Sequence, residues 1–347
     1  MPSDSLLWMR PLHSSALALA CAALVATAGC GSSDDGGGGA TSPNARAAPA
    51  SSPVLVSAAD PTEAEFPKPD GRTLQQLADT MRAGPQLGLA TSVYTPGEDR
   101  LAFGLIDADN KFVYGRTAVY VARGPGAPAR GPYLAPADSL EVRTAFRSQT
   151  SNSTPGELKA VYHATVDFPG AGRWYVLSAT RLGGELYGAT ADVTVGPHPR
   201  IPAAGDRAPS VDTPTPASVG NDLSKIDTRT PPSDMHRVSL REVLGKKPVA
   251  LLFATPALCQ SRVCGPVADI GAQLQAAYGD RVEFIHNEVY VDNDPNKGLR
   301  PQLTAYGLTT EPWLFAIDRD GRVVERLEGA FGIDEYREAV EKALGSP

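Results

Sequence analysis

Thiols are scarce in this chain of 347 residues: it has four cysteines, with five histidines and three tryptophans. Cys21 lies in an apolar N-terminal run and Cys30 directly behind small residues, so Cys259 and Cys264 are the one pair available for chemistry in a folded domain. Positive charge is short as well. Lys and Arg number 32 against 39 Asp and Glu, a formal net charge of -7, which argues against nucleic-acid binding because that work needs a basic face to meet phosphate. The apolar run from Ala16 to Val25 falls short of the ~20 residues a spanning helix requires. No internal repeat is visible.

The N-terminus carries Arg10, then that apolar run, then Ala26-Thr-Ala-Gly29 before Cys30, which is the order of an export signal. Residues 1–29 are expected to be removed, with delivery to an oxidising extracytoplasmic compartment. Residues 30–60 are rich in Gly, Ser, Ala and Pro and read as a disordered tether with too little apolar surface to fold. Ala28-Gly29-Cys30 resembles a bacterial lipobox, which implies lipidation of Cys30 and a lipid anchor in the cell membrane; Thr27 stands where that motif usually has an aliphatic residue.

Residues 61–196 are expected to form one domain. Thr73 and Gln76 have capping-box spacing for a short leading helix. Beyond Gly88 the periodicity becomes that of strands: Leu101, Phe103 and Leu105 share one face, and Leu158, Ala160, Tyr162, Ala164, Val166 and Phe168 share another. Further runs at 117–121, 173–179 and 189–195 are separated by turn clusters, as in an all-β sandwich. Its length suits an immunoglobulin-like sandwich, although no Cys-Trp-Cys signature is present. Tyr162, His163 and Trp174 read as ordinary strand residues.

Residues 197–222, with six prolines, read as a stiff linker that few contacts need cross. In 223–347 the expected order after a short helix at 239–247 is strand, helix, strand, helix, strand, strand, helix. Val249–Phe253 is a continuous apolar run, as in a covered central strand. Val267, Ile270, Leu274 and Ala277 recur at helical spacing, and 282–289 is the next strand. Pro301 opens a short helix that Gly307 ends. Strands at 313–317 and 322–326 flank a hairpin at Asp318-Arg-Asp-Gly321, and Asp334 caps a closing helix to Leu344.

The cysteines follow the apolar strand, in Phe253-Ala-Thr-Pro-Ala-Leu-Cys259-Gln-Ser-Arg-Val-Cys264-Gly-Pro266. Together with Glu311-Pro312-Trp313 before a strand, the Asp-Gly hairpin and the lead-in Gly205-Asp-Arg-Ala-Pro209, this segment resembles the extracytoplasmic, TlpA-like thioredoxin family. The resemblance implies an α/β thioredoxin-like fold, thiol-disulfide oxidoreductase activity on extracytoplasmic protein thiols or disulfides, and no cofactor or metal. It also implies a cis peptide before Pro312, so that the backbone of Glu311 pairs with an extended substrate.

The chain departs from the family in several ways: Cys-x-x-Cys is absent, Leu258 stands where tryptophan usually precedes the first cysteine, and 249–253 contains no acid to act as a buried proton acceptor. Residues five apart in a regular helix stand ~7.5 Å apart along the axis and ~140° around it. A disulfide therefore requires a helix that starts late, near Gly265 or Pro266, with both cysteines in the loop before it. Alignment on the strand makes Cys259 the nucleophile, the favoured choice; alignment on Cys264-Gly-Pro266 makes it Cys264. Arg262, between them, is the candidate thiolate stabiliser.

Two other readings stand beside exchange. One is a non-catalytic binding or assembly lipoprotein whose cysteine pair is a structural disulfide. The other is a copper-handling protein of Sco type, in which the two thiolates join a distant histidine, His236 or His286.

Overall fold

A computed structural model describes residues 52–151 and 158–345. Cys30, the export signal and nearly all of the tether lie outside these residues. The described residues belong to one compact unit, and no helix among them is long and apolar enough to cross a membrane.

The tether was expected to run unfolded to residue 60, but helix α1 (Pro53–Ala58) forms within it, capped by the Ser52 hydroxyl, and buries Leu55 and Ala58. Leu55 supplies the apolar contact that the Gly-rich stretch lacks, while Val54 and Val56 stay exposed. Helix α2 (Leu74–Ala78) starts at the expected capping box of Thr73 and Gln76.

Nine strands follow: β1 (Arg82–Ala83), β2 (Gln86–Leu89), β3 (Gly97–Ile106), β4 (Thr117–Ala122), β5 (Arg130–Ala135), β6 (Ala137–Ser139), β7 (Ala160–Phe168), β8 (Gly172–Leu182) and β9 (Glu185–Val195). They form two sheets, β1-β9-β8-β4-β5 and β2-β3-β7-β6, antiparallel throughout except for the parallel β1/β9 pair. Alternation decides which side chains fill the space between them. Leu101, Phe103 and Leu105 meet Val119, Val121, Tyr162, Val166, Phe168 and Trp174 there, with Phe103 stacked on Tyr162 at 5.2 Å. The outer face of the five-stranded sheet is covered by Phe66 and by Leu74 and Leu77 of α2.

The C-terminal part is mixed α/β. Its elements are α3 (Leu240–Val243), β10 (Val249–Phe253), α4 (Cys264–Tyr278), β11 (Glu283–Asn287), α5 (Pro301–Ala305), β12 (Trp313–Ile317), β13 (Val323–Glu328) and α6 (Ile333–Ala343). The sheet order is β11-β10-β12-β13, with β10 parallel to β11 and antiparallel to β12. Val249, Leu251 and Phe253 point to one face with Leu240 and Leu303, whereas Ala250 and Leu252 point to the other, against α4 and α6.

That second face does not end at the helices. Ala102 and Val161, on the outer side of β3 and β7, belong to the same core cluster as Val267 and Ile270 of α4 and Ala339 and Val340 of α6. The two helices thus lie between the four-stranded sheet of the sandwich and the α/β sheet.

Polar contacts tie the same layers. Both Asp138 carboxylate oxygens accept N–H groups at the start of α6, from Asp334 at 3.0 Å and Glu335 at 2.8 Å. This replaces the local cap expected of Asp334: Gly332 holds the N-cap position, Asp334 lies in the first turn, and the acceptor comes from β6. Arg100 of β3 makes two 2.6 Å bonds to Glu335 and donates to the carbonyls of Glu328 and Ala330. Glu328 accepts in turn from the backbone of Ser92 and Val93. Gly329, at φ 72°, meets the Ala90 carbonyl so closely that a Cβ there would collide with it.

The proline-rich connector also packs. Ile201, Ala208 and Val211 join the outer core of the α/β sheet, and backbone bonds such as Gly205 to Val323 (2.8 Å) and Val323 to Asp206 (2.9 Å) fasten it along β13. Proline keeps such a segment extended, and an extended segment with spaced apolar residues can lie on a strand edge.

Candidate functional site

β10 ends beneath a loop that folds back on itself. The N–H groups of Leu258 and Cys259 both donate to the Thr255 carbonyl, at 3.2 and 3.1 Å, and Arg262 N–H donates to the Cys259 carbonyl at 3.2 Å. Arg262 adopts φ 58°, a left-handed conformation that turns the chain into α4. The turn sets Cys259 and Cys264 in a disulfide with Cα atoms 6.0 Å apart.

The helix starts earlier than its Gly-Pro step suggests: Cys264 is already its first residue, and Cys259 alone lies in the loop. Pro266 fits inside the first turn because N–H groups there have no intrahelical partner, and Gly265 before it has no Cβ to clash with the ring. Gly265 also lets the sandwich approach, since a Cβ there would stand 2.8 Å from Ser151 Oγ.

The two sulfurs differ in surroundings. Cys259 keeps 8% exposure, beside Leu258 at 37%, and its Sγ lies 3.2 Å from Ser261 Oγ. Cys264 is fully buried at the N-terminus of α4, where free N–H groups and the helix dipole favour negative charge. Its Sγ is 3.4 Å from Glu311 Oε2, and the same oxygen accepts Thr255 N–H at 2.7 Å. Burial, with the charge of Glu288 adding to it, pushes the Glu311 carboxyl up to about 7, against the lowering effect of the Thr255 N–H bond.

Glu311 and Pro312, expected to position substrate through the backbone, therefore lie beside the pair, and the peptide between them is cis. Phe253 pairs with Trp313 across β10 and β12, which brings this step level with the start of the cysteine loop. The Arg262 side chain is exposed. No acid stands in 249–253, but the half-buried Glu311 lies beside the pair, a placement that no local spacing reveals because it is 47 positions from Cys264 in sequence.

Behind the loop lies a buried polar cluster in which His236 and His286, each considered in the sequence as a histidine partner of the cysteine pair, lie together with Asp227, which no sequence signal singled out. Asp227, His236 and His286 offer donor atoms all within 4.8 Å of one another. His236 Nε2 is 3.1 Å from Asp227 Oδ2, and His286 Nε2 is 2.8 Å from the Ala254 carbonyl, just before the loop. Although burial acts the other way, Asp227 holds the His286 imidazole up to about 9.

No protein-family model matches this chain, and no curated protein matches it. Among solved structures it is similar to a Chlorobium tepidum protein assigned as thiol:disulfide interchange protein DsbE, at 20% identity and a TM-score of 0.30, over 42% of this chain and 99% of that one. It is also similar to the human F-spondin reeler domain, at 12% identity and a TM-score of 0.19, over 33% of this chain and 91% of that one. Both likenesses are too remote to carry a conclusion about chemistry.

Proposed function

We propose that this chain is an extracytoplasmic thiol-disulfide exchange protein, held to the cell membrane by a lipid on Cys30, with an immunoglobulin-like sandwich packed on a thioredoxin-like domain. The observation that carries the reading is the unequal pair: Cys259 in the loop with a residual 8% exposure, Cys264 with none at a helix N-terminus and a carboxylate 3.4 Å from its sulfur. Strand order β11-β10-β12-β13 with cysteines directly after the central strand supports the thioredoxin-like assignment.

The reduced protein acts as follows. Cys259 thiolate attacks one sulfur of a partner disulfide, forming a mixed disulfide and releasing the partner's other sulfur as thiolate, which takes a proton from water. Cys264 then gives its proton to Glu311, attacks Cys259 Sγ, closes the intramolecular disulfide and releases the second partner sulfur. The partner gains two electrons and this protein loses them; the reverse sequence oxidises a partner dithiol. Arg262 adds positive charge at the mouth, and the backbone beside Pro312 receives the partner's strand.

Separate Cys264→Ser and Cys259→Ser chains test this in cells. The first, able to attack but not resolve, is expected to accumulate mixed disulfides that reductant releases, and the second to accumulate none. Absence of adducts with both would remove the exchange reading.

The low exposure of Cys259, and its membership with Cys264 of the core cluster, favour a second reading in which the pair is a structural staple of a binding protein. In that case neither variant traps a partner, and each loses stability instead.

A further inference from the structure

The ring of His286 is held in place. Its Nε2–H donates to the Ala254 carbonyl at 2.8 Å, which turns Nδ1 toward Asp227, where an ion would displace the proton that the carboxylate favours. That Nδ1 is wholly buried, has no hydrogen-bond partner, and faces Asp227 Oδ1 at 3.8 Å, beyond hydrogen-bond reach. The Asp227 carboxylate is itself held from outside. Oδ1 accepts Arg229 N–H at 2.8 Å, and Oδ2 accepts Ser233 N–H and the Ser233 hydroxyl at 2.7 and 2.9 Å. A histidine oriented by a backbone carbonyl and a carboxylate oriented by N–H donors are the usual outer supports of metal ligands.

From this arrangement we infer that Asp227, His236 and His286 form a binding site for one divalent first-row transition ion such as zinc. Ligand atoms ~2.1 Å from a tetrahedral ion stand about 3.4 Å from one another; His236 Nε2 is 3.1 Å from Asp227 Oδ2, and one ligand atom from each of the three residues lies within 4.8 Å of the other two, so modest side-chain shifts close the set around an ion. Two imidazoles and a carboxylate suit zinc and its neighbours better than the hard ions calcium and magnesium or soft Cu(I). Glu288, two residues after His286, is buried with Oε2 unpaired and is a further oxygen donor in this polar cluster. Two of the three ligands come from a stretch without helix or strand between Lys225 and Leu240, so an ion there fastens that stretch to β11 beneath the cysteine loop. The cysteines are not ligands, which makes the site independent of the exchange reaction.

The test uses the full chain with all four cysteines changed to serine, stripped with a chelator and titrated with Co²⁺ alone, then with Zn²⁺ alone in a thermal melt. One equivalent of Co²⁺ is expected, with visible bands of nitrogen and oxygen ligation and no thiolate band, and Zn²⁺ is expected to raise Tm. His286→Gln and Asp227→Asn chains that keep the parent's circular dichroism should bind at least tenfold more weakly; if either fails to fold, His236→Gln takes its place. A parent that binds less than one equivalent or shows no Tm change, or a folded variant that binds as tightly as the parent, overturns the site.

Discussion

At the residue scale, the proposed exchange takes Glu311 as its proton acceptor. Its carboxyl, raised to about 7 chiefly by burial, accepts the Cys264 proton only when ionised. Closure of the intramolecular disulfide should therefore quicken as pH rises through about 7. Glu311→Gln should slow it by about 10²-fold and flatten that rise, as stopped-flow measurement of oxidation by a small disulfide would check. Stability runs the other way. A carboxyl whose folded value lies above its unfolded one stabilises the fold while protonated, fully below the ordinary carboxylate range, and loses that contribution as pH climbs through about 7. The Gln variant should show a smaller loss of stability across the same window.

The positions of both cysteines, of Glu311 and of Pro312 were legible in the sequence through the resemblance of the cysteine loop and the Glu-Pro-Trp step to the TlpA-like family, with the apolar strand before the loop as the one local signal. The side-chain role of Glu311 was not, nor was the meeting of Asp227 with His236 and His286. Such contacts are made by tertiary folding between residues far apart in the chain, and periodicity carries no record of them. Arg262 was read for its charge, yet its backbone at φ 58° is what turns the loop. Glycine adopts that conformation without strain, so Arg262→Gly should preserve the loop, whereas Arg262→Val should weaken it by about 1 kcal/mol or more, measurable as a lower Tm.

At the scale of elements, helix α6 shows how a terminus escapes local reading. The sequence offers Asp334 as its cap, but the N–H groups that need acceptors find Asp138 on β6. Burial, and then the charge of Glu335, push the Asp138 carboxyl up to about 8, while the two N–H bonds pull it down. Asp138→Ala should cost about 1–2 kcal/mol, more than Asp138→Asn, which keeps one acceptor; denaturant unfolding of the two variants compares them. If they prove equal, the contribution of the cap is negligible. Central strands such as Val249–Phe253 and Trp313–Ile317 matched their expected bounds because a wholly buried strand is apolar along its whole length.

Across the whole molecule, the described residues are bound together more tightly than a proline-rich connector suggests. The outer face of β3 and β7 contributes to the core that covers α4 and α6, and Arg100 and Glu335 form a nearly buried pair between sandwich and helix. Removing one member leaves a charge without its partner, so Arg100→Ala should cost about 3–5 kcal/mol. Calorimetry of the unaltered protein should show one unfolding transition, and two well-separated ones would mean that the layers are energetically independent. The alternation that revealed the sandwich could not reveal this docking: Arg100, Ala102 and His163 look like the solvent side of an ordinary two-faced strand.

The most direct measurement is the reduction potential of the Cys259–Cys264 pair in the intact protein, by equilibration against a glutathione or dithiothreitol buffer. An exchange protein requires a labile bridge, and the account predicts a value above about -300 mV, within the ~-120 to -270 mV span of thiol-disulfide catalysts. A value well below about -300 mV, the range of structural disulfides, would contradict it.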